Sequence, residues 1–348
     1  MREIDTAFLL LRAAITGVDK DSPFTSHLSP ISSKDWWNLF RLLQQNHVAA
    51  LTADTMAALD VPREVKIPWL AERAKAERWH RYQEEVQQDI IGTMKRHGIE
   101  TLVLKGAHTA QYYPQPELRE FSDLDLYFFD QHNKADAIAR KHLHVTVSND
   151  AHHHSKYDYR GVTVESHYDF VNTHYPPSNR RYESLLKDLV GDTQLPTFEV
   201  LFLLRHMAGH FAASRITLRD LVDWTLTCRA LQDKVDWQLV DKTIEDYGMA
   251  DFVAVLNNIA ERRLGVSMSQ SLGVSMSRCL EVSLERDIVY GSVDDSNADG
   301  PSRLLWKLRR WRSLAWKRRM VYNDAPSSLL LASLTSHTLK PKSILHKQ

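Results

Sequence analysis

Between positions 121 and 129 the chain reads Phe-Ser-Asp-Leu-Asp-Leu-Tyr-Phe-Phe, and this run restricts the fold more than any other. Side chains of an extended strand alternate between faces, so Asp123 and Asp125 share one side while Leu124, Leu126 and Phe128 share the other. Slipping the register by one would send both carboxylates into the core, so the alternation decides which face is buried. Acidic doublets are common in exposed turns. This pair is set among large apolar residues, where carboxylates are expensive unless they meet a cation. Two carboxylates converging from one strand suit hard divalent ions, which take oxygen ligands.

The flanking segments place this strand in an α+β chain. Residues 32 to 59 carry a helical pattern: Ser32 and Asp35 have capping-box spacing, and Trp36, Trp37, Phe40, Leu43 and Val48 follow at helical intervals. Pro62 and Pro68 interrupt it, and a long charged helix is expected over residues 69 to 97, ended by Gly98. A short buried strand over 101 to 104, a turn at Lys105 and Gly106, and a helix over 107 to 113 come next. Such a strand–turn–helix unit suits phosphate, because a lysine there adds a cation to the free N–H groups of a helix start. A further strand over 162 to 170 puts Thr163, Glu165 and His167 on one face and supplies a third carboxylate. From Pro196 onward the pattern is helical again, with one stripe through Val200, Leu203, Leu204, Met207 and Phe211. The expected division is an N-terminal helical lobe (1–97), a strand-bearing core (98–195), a C-terminal helical lobe (196–300) and a basic Trp-rich helix and tail (301–348).

Composition excludes several classes. Lys plus Arg and Asp plus Glu both number 44, so net charge alone gives no reason to bind polyanions. With 43% hydrophobic residues the chain can bury a real core. Cys228 and Cys279 stand far apart and outside any metal-ribbon spacing, which fits a reducing cytoplasm. Residues 8 to 15 are apolar but follow Glu3 and Asp5 and contain Arg12, unlike a secretory signal. No run of about 18 uncharged apolar residues occurs, so no membrane span is expected. Two near-copies, at 264–269 and 272–277, are too few for a repeat architecture. Residues 303 to 324 hold Arg303, Lys307, Arg309, Arg310, Arg312, Lys317, Arg318 and Arg319 against Asp324 alone, with Trp306, Trp311 and Trp316 interleaved. As a helix this segment either docks on the body through Leu304, Leu308, Trp311 and Ala315, or meets an anionic partner such as RNA or a membrane surface. Docking is favoured.

Seventeen histidines invite over-reading. Consecutive His152, His153 and His154 diverge on a strand or loop, so a loop is expected there and not a zinc site. His206 and His210 sit four apart without the glutamate of a zinc-protease helix, which favours a structural role. His167 shares the face of Glu165, where it orients an acceptor, serves as a base or simply holds a hydrogen bond.

Taken in order, residues 102–107 (Leu-Val-Leu-Lys-Gly-Ala), Tyr113-Pro114, Arg119 and residues 122–126 (Ser-Asp-Leu-Asp-Leu) resemble the uncharacterised nucleotidyltransferases of the DNA polymerase beta superfamily, in a branch marked by a Lys-Gly turn. Residues 164–168 (Val-Glu-Ser-His-Tyr) are similar to the following strand of that family, and the stretch with His206, His210, Arg219 and Asp220 to its later helices. The resemblance implies a small mixed sheet with helices, flanked by the two helical lobes, and transfer of a nucleoside monophosphate from a nucleoside triphosphate to an acceptor. It implies Asp123, Asp125 and Glu165 as catalytic ligands of Mg2+ or Mn2+, with Lys105, Gly106, Arg119 and His167 on the nucleotide side. The wider superfamily opens its nucleotide-binding helix with Gly-Ser, whereas this chain has Lys105-Gly106-Ala107, so charge stands in for a hydroxyl. Arg119 either joins the phosphates or pairs with Glu117, Glu120 or a sheet-end carbonyl. The acceptor, whether small molecule, peptide, protein or RNA, is not legible. The competing expectation is a catalytically degenerate module that binds a nucleotide, or RNA through the basic C-terminal segment.

Overall fold

A computed structural model describes residues 2–17, 32–149, 153–268, 278–291 and 303–339. Strands β1 (Leu102–Val103), β2 (Asp123–Tyr127), β3 (His154–Tyr159) and β4 (Val162–His167) pair in the order β1-β2-β4-β3. The β1–β2 and β3–β4 pairings are antiparallel and β2–β4 is parallel, which makes the sheet mixed. Helices α1 (Arg2–Thr16), α2 (Ser33–Gln45), α3 (Ala53–Ala58) and α4 (Arg63–Arg96) precede it. Within the sheet segment lie α5 (Ala107–Ala110) and α6 (His132–Ile138). After it come α7 (Asn179–Gly191), α8 (Leu195–Ala213), α9 (Leu218–Leu231), α10 (Trp237–Asp246) and α11 (Ala250–Ile259). The described chain then continues with α12 (Arg278–Tyr290), α13 (Arg303–Ser313), α14 (Ala315–Val321) and α15 (Pro326–Leu339). The fold is α+β, and no helix among the described residues is long and apolar enough to cross a membrane.

The strand alternation does what the sequence demands. Leu124, Leu126, Val162 and Val164 turn to one side and pack with Val86, Ile90 and Met94 of α4 and Ala135 and Ile138 of α6. Each such side chain withdrawn from water contributes about 1.5–3 kcal/mol, so this face is committed. A larger core joins α1, α2 and the Trp69 end of α4 to α8, α9 and α11 through Phe8, Trp36, Phe198, Phe211, Trp224 and Phe252. Residues before and after the sheet therefore share one interior. Asn46, after α2, stitches it: its side chain donates to the Leu42 and Val289 carbonyls and accepts from the Leu218 amide.

Local signals hold in some places and yield in others. Ser32 caps α2, accepting from the Asp35 amide at 3.2 Å, and Gly98 follows α4 at φ +71°. Pro68 does not end a helix but lies inside α4, whose first turn starts one step after Pro62. Buried Val65 and Trp69 on either side offset the lost backbone bond. The expected helix over 107–113 shrinks to the single turn α5, and the expected strand over 162–170 stops at His167 because the Tyr168 and Asp169 amides both turn to the His153 carbonyl. The basic segment is two helices: Ser313 Oγ donates to the Arg310 carbonyl at the break, a bond that competes with helix continuation. The second near-copy, 272–277, lies outside the described residues.

Docking of the basic segment is substantial at its second helix. Trp316 meets Phe211 edge-on at 5.5 Å, and Arg318 donates to the Trp311 carbonyl and lies 4.1 Å over that ring. Lys317, fully buried, reaches Asp287 of α12 at 2.5 Å and also donates to the Ser214 carbonyl. Arg309, Arg312 and Arg319 stay exposed. Removing one partner of a buried ion pair strands the other, at a cost of about 3–5 kcal/mol. Asp287→Ala is expected to lower unfolding free energy by that order in urea titrations, and Asp287→Ala combined with Lys317→Met to recover most of it.

Candidate active site

Register brings the polar face together. The parallel β2–β4 pairing sets Asp125 beside Glu165, Asp123 beside Thr163 and Tyr127 beside His167. The antiparallel β3 adds His154 beside His167 and Lys156 beside Glu165. Cross-strand partners share a face, so the carboxylates meet without any loop having to fold over. Lys105 arrives from the turn after β1, where the Leu104 amide donates to the Asp125 carbonyl at 3.0 Å. The turn needs Gly106: its φ is +66°, and a Cβ there would stand 3.2 Å from the Phe121 ring and 3.4 Å from the Asp123 carbonyl oxygen. Because α5 is one turn long, little helix dipole backs this turn, and the positive charge is that of the lysine itself.

Asp125 has no exposed surface. Its Oδ1 lies 2.9 Å from His167 Nε2 and 3.2 Å from Lys105 Nζ, while Oδ2 is buried with no hydrogen-bond partner among the described residues. Burial works to raise the Asp125 pKa, but Lys105 and His167 outweigh it and hold the carboxyl well below its ordinary range. Burial likewise works to lower that of Lys105, and Asp125, Asp123 and Glu165 together keep it above the usual value. Glu165 is pushed the other way, upward, by burial and by the charge of Asp125. Neighbouring carboxylates driven apart in this manner are a common arrangement at reactive centres.

Histidines line the remaining walls. His167 Nδ1 faces the Asp169 carbonyl at 3.3 Å, and Glu165 lies 3.8 Å from His167 Nε2 and 3.5 Å from His154 Nε2. Burial, with the charge of His167, drives His153 down to about 2 and His154 down to about 4. His206 of α8 is partly buried, held well below its ordinary value first by burial and then by Lys105, and its Nε2 stands 3.5 Å from Lys105 Nζ. A neutral imidazole accepts from that ammonium. Two overlapping groups offer ligand atoms within 4.8 Å of one another: Asp125, Glu165 and His167, and His153, His154 and His167.

The structure thus assembles Lys105, Asp125, Glu165 and His167 around one space, with Asp123 close enough to bias the charges of Lys105 and Glu165, and Gly106 shaping the turn. Arg119 is placed elsewhere. Its Nε and Nη2 grip Asp223 of α9 at 2.9 and 2.7 Å, and Tyr113 donates to the same carboxylate at 2.6 Å. Of the two roles weighed for Arg119, the structure forms the buried pair, with a partner contributed by α9 and not by Glu117 or Glu120. Of the histidine run, where a loop is expected, His152 lies outside the described residues, His153 sits in a bend before the strand and only His154 enters β3, its ring meeting that of His153 with centroids 4.6 Å apart. His206 is the residue whose place beside Lys105 the sequence did not disclose; only its recurrence with His210 hinted at more than packing. Beside it, a recess is lined by Lys105, His108, Tyr112, Glu199, Phe202 and His206. In its wall Glu199 receives His108 at 2.7 Å and Tyr112 at 2.5 Å.

A family model described as an uncharacterised nucleotidyltransferase matches residues 32–265. No curated protein and no solved structure matches the chain.

The neutral histidines give acid sensitivity a definite sign. In the unfolded chain His153 and His154 bind protons below about 6.5, whereas the fold keeps them neutral to about 2 and about 4. The unfolded state then binds more protons, so stability falls as pH drops from about 6.5 toward 4. Urea unfolding of metal-free protein across that range should show the decline, with a shallower slope in His154→Phe.

Proposed function

Because the chain belongs to the uncharacterised nucleotidyltransferase family, we propose that its polar sheet face moves a nucleoside monophosphate from a nucleoside triphosphate to an acceptor, releasing pyrophosphate. One observation carries this reading: the β2–β4 register sets Asp125 and Glu165 side by side with Asp123 two residues away, and leaves one Asp125 oxygen buried without a partner among the described residues. An oxygen in that condition fits a divalent cation, since an unpaired buried carboxylate oxygen is costly. Asp123, Asp125 and Glu165 would hold Mg2+ or Mn2+, whose charge, when bound, stabilises the attacking and leaving oxygens at phosphorus.

The remaining residues bind and orient. Lys105 supplies the cation that a triphosphate requires once it leaves water, and His206 behind it fixes where that ammonium sits. His167 holds the Asp125 carboxylate in one orientation. The recess lined by His108, Tyr112 and Glu199 offers hydroxyl, imidazole and carboxylate groups to an acceptor that carries hydroxyl or amino groups. A second reading, nucleotide binding without turnover, is favoured by the Lys105–Asp125 contact, in which a protein cation already balances the carboxylate.

The test is incubation of purified protein with each labelled nucleoside triphosphate and Mg2+ or Mn2+, with candidate acceptors drawn from a cell extract. Label transfer and pyrophosphate release are expected to fall at least about 100-fold in folded Asp123→Ala and Asp125→Ala, the scale of losing one contact made in the transition state. Transfer that persists in both variants removes the proposal. Nucleotide binding with no transfer to any acceptor selects the second reading.

A further inference from the structure

The polar face holds more imidazole than an oxygen-only magnesium site uses. His153, His154 and His167 form a cluster in which each contributes a ligand atom within 4.8 Å of the others. Their ring centroids stand 4.6, 5.2 and 5.5 Å apart. A tetrahedral ion with ligands at about 2.0–2.1 Å sets neighbouring nitrogens about 3.4 Å apart, so shifts of about 1 Å close the cluster on a common centre. Hard ions such as Mg2+ prefer oxygen, whereas imidazole suits zinc, copper, nickel and iron.

Two further observations point to a ligand. The Nδ1 atoms of His153 and His154 are both buried and have no hydrogen-bond partner among the described residues. Buried nitrogens are rarely left unpaired, and two on adjacent residues call for a common explanation. The cluster is also held from behind: the His153 carbonyl accepts from the Tyr168 and Asp169 amides, and His154 is the register partner of His167 in the sheet. His167 Nδ1 faces the Asp169 carbonyl, an outer contact of the kind that orients a metal-bound imidazole, and this leaves Nε2, now beside Asp125 Oδ1, as its ligand atom.

We propose that His153, His154 and His167 bind one transition-metal ion of the Zn2+ or Co2+ class, with Glu165 adjacent as an oxygen ligand, beside the carboxylate site and chemically distinct from it. This assignment does not require nucleotidyl transfer: it concerns which ion the imidazoles select, with or without nucleotide.

The experiment titrates Co2+ into chelator-treated full-length protein without nucleotide or Mg2+, reading the visible absorption of histidine-ligated Co2+ and its displacement by Zn2+. One equivalent is expected to bind the wild type. His153→Ala and His154→Ala should each weaken Co2+ affinity beyond about 100-fold, since even outer-shell partners are worth about 10–100-fold. Asp123→Asn should bind Co2+ as the wild type does, which separates this site from the carboxylates invoked for transfer. If a histidine variant fails to fold, paramagnetically shifted ring N–H resonances of three histidines in Co2+-loaded wild type answer the same question. No stoichiometric binding, binding indifferent to both histidine substitutions, or binding lost in folded Asp123→Asn would each overturn the assignment.

Discussion

Asp125 is a carboxylate with no exposed surface in the second strand of a four-stranded sheet. Desolvating such an ion costs several kcal/mol, and only close, well-placed charges recover it. Lys105 supplies that charge and His167 a hydrogen bond, and each is delivered by a different structural decision. The lysine comes from a turn that only a glycine can make so near Phe121, and the histidine from the parallel pairing of β2 with β4. Loss of either decision would leave a buried anion unsupported, so turn, register and charge are one requirement. The same requirement bears on the other side of the sheet, which is apolar apart from Ser155, Ser166 and the Tyr157 hydroxyl. Leu124, Leu126, Val162 and Val164 anchor the register against α4 and α6 from below.

The helices close the polar face from above. Helix α8 brings His206 to Lys105 and Glu199 to His108 and Tyr112, so one wall of the recess is built from residues about a hundred positions away in sequence. Its position depends on α9, which Arg119 and Tyr113 hold through Asp223. Arg119 thus bears on the site at a distance, by fixing a helix. Its guanidinium also lies 6.0 Å from the Phe121 ring centroid, the same ring that crowds Gly106. The tie and the turn are in mechanical contact.

Much of this was legible because it was local. Alternation over 121–129 and 162–167 requires only neighbouring residues, so the faces of Asp123, Asp125, Glu165 and His167 could be read directly. The Ser32 cap and the Gly98 stop are likewise short-range. What stayed hidden depends on pairings over long separations. Nothing near Arg119 announces Asp223, and nothing near Lys105 announces His206. The histidine run misled for a different reason: divergence of consecutive side chains holds within a strand, but His153 stands just outside β3, where the backbone bends and sends its ring back toward His154. Pro68 shows propensity overruled by packing, since Val65 and Trp69 hold its helix together. The break after Ser313 was invisible in composition because all residues around it tolerate a helix.

The single interior shared by helices before and after the sheet has a bearing on how such a protein can change over time. A strand-bearing segment with its own closed core can be copied, moved and joined to new neighbours. Here Phe8, Trp36 and Trp69 belong to the same core as Phe198, Phe211 and Trp224, and Asn46 spans from α2 to both α9 and α12, so excising either flank would leave the other with an open apolar wall. A rearrangement that moved this sheet would therefore have to carry its helical shell along.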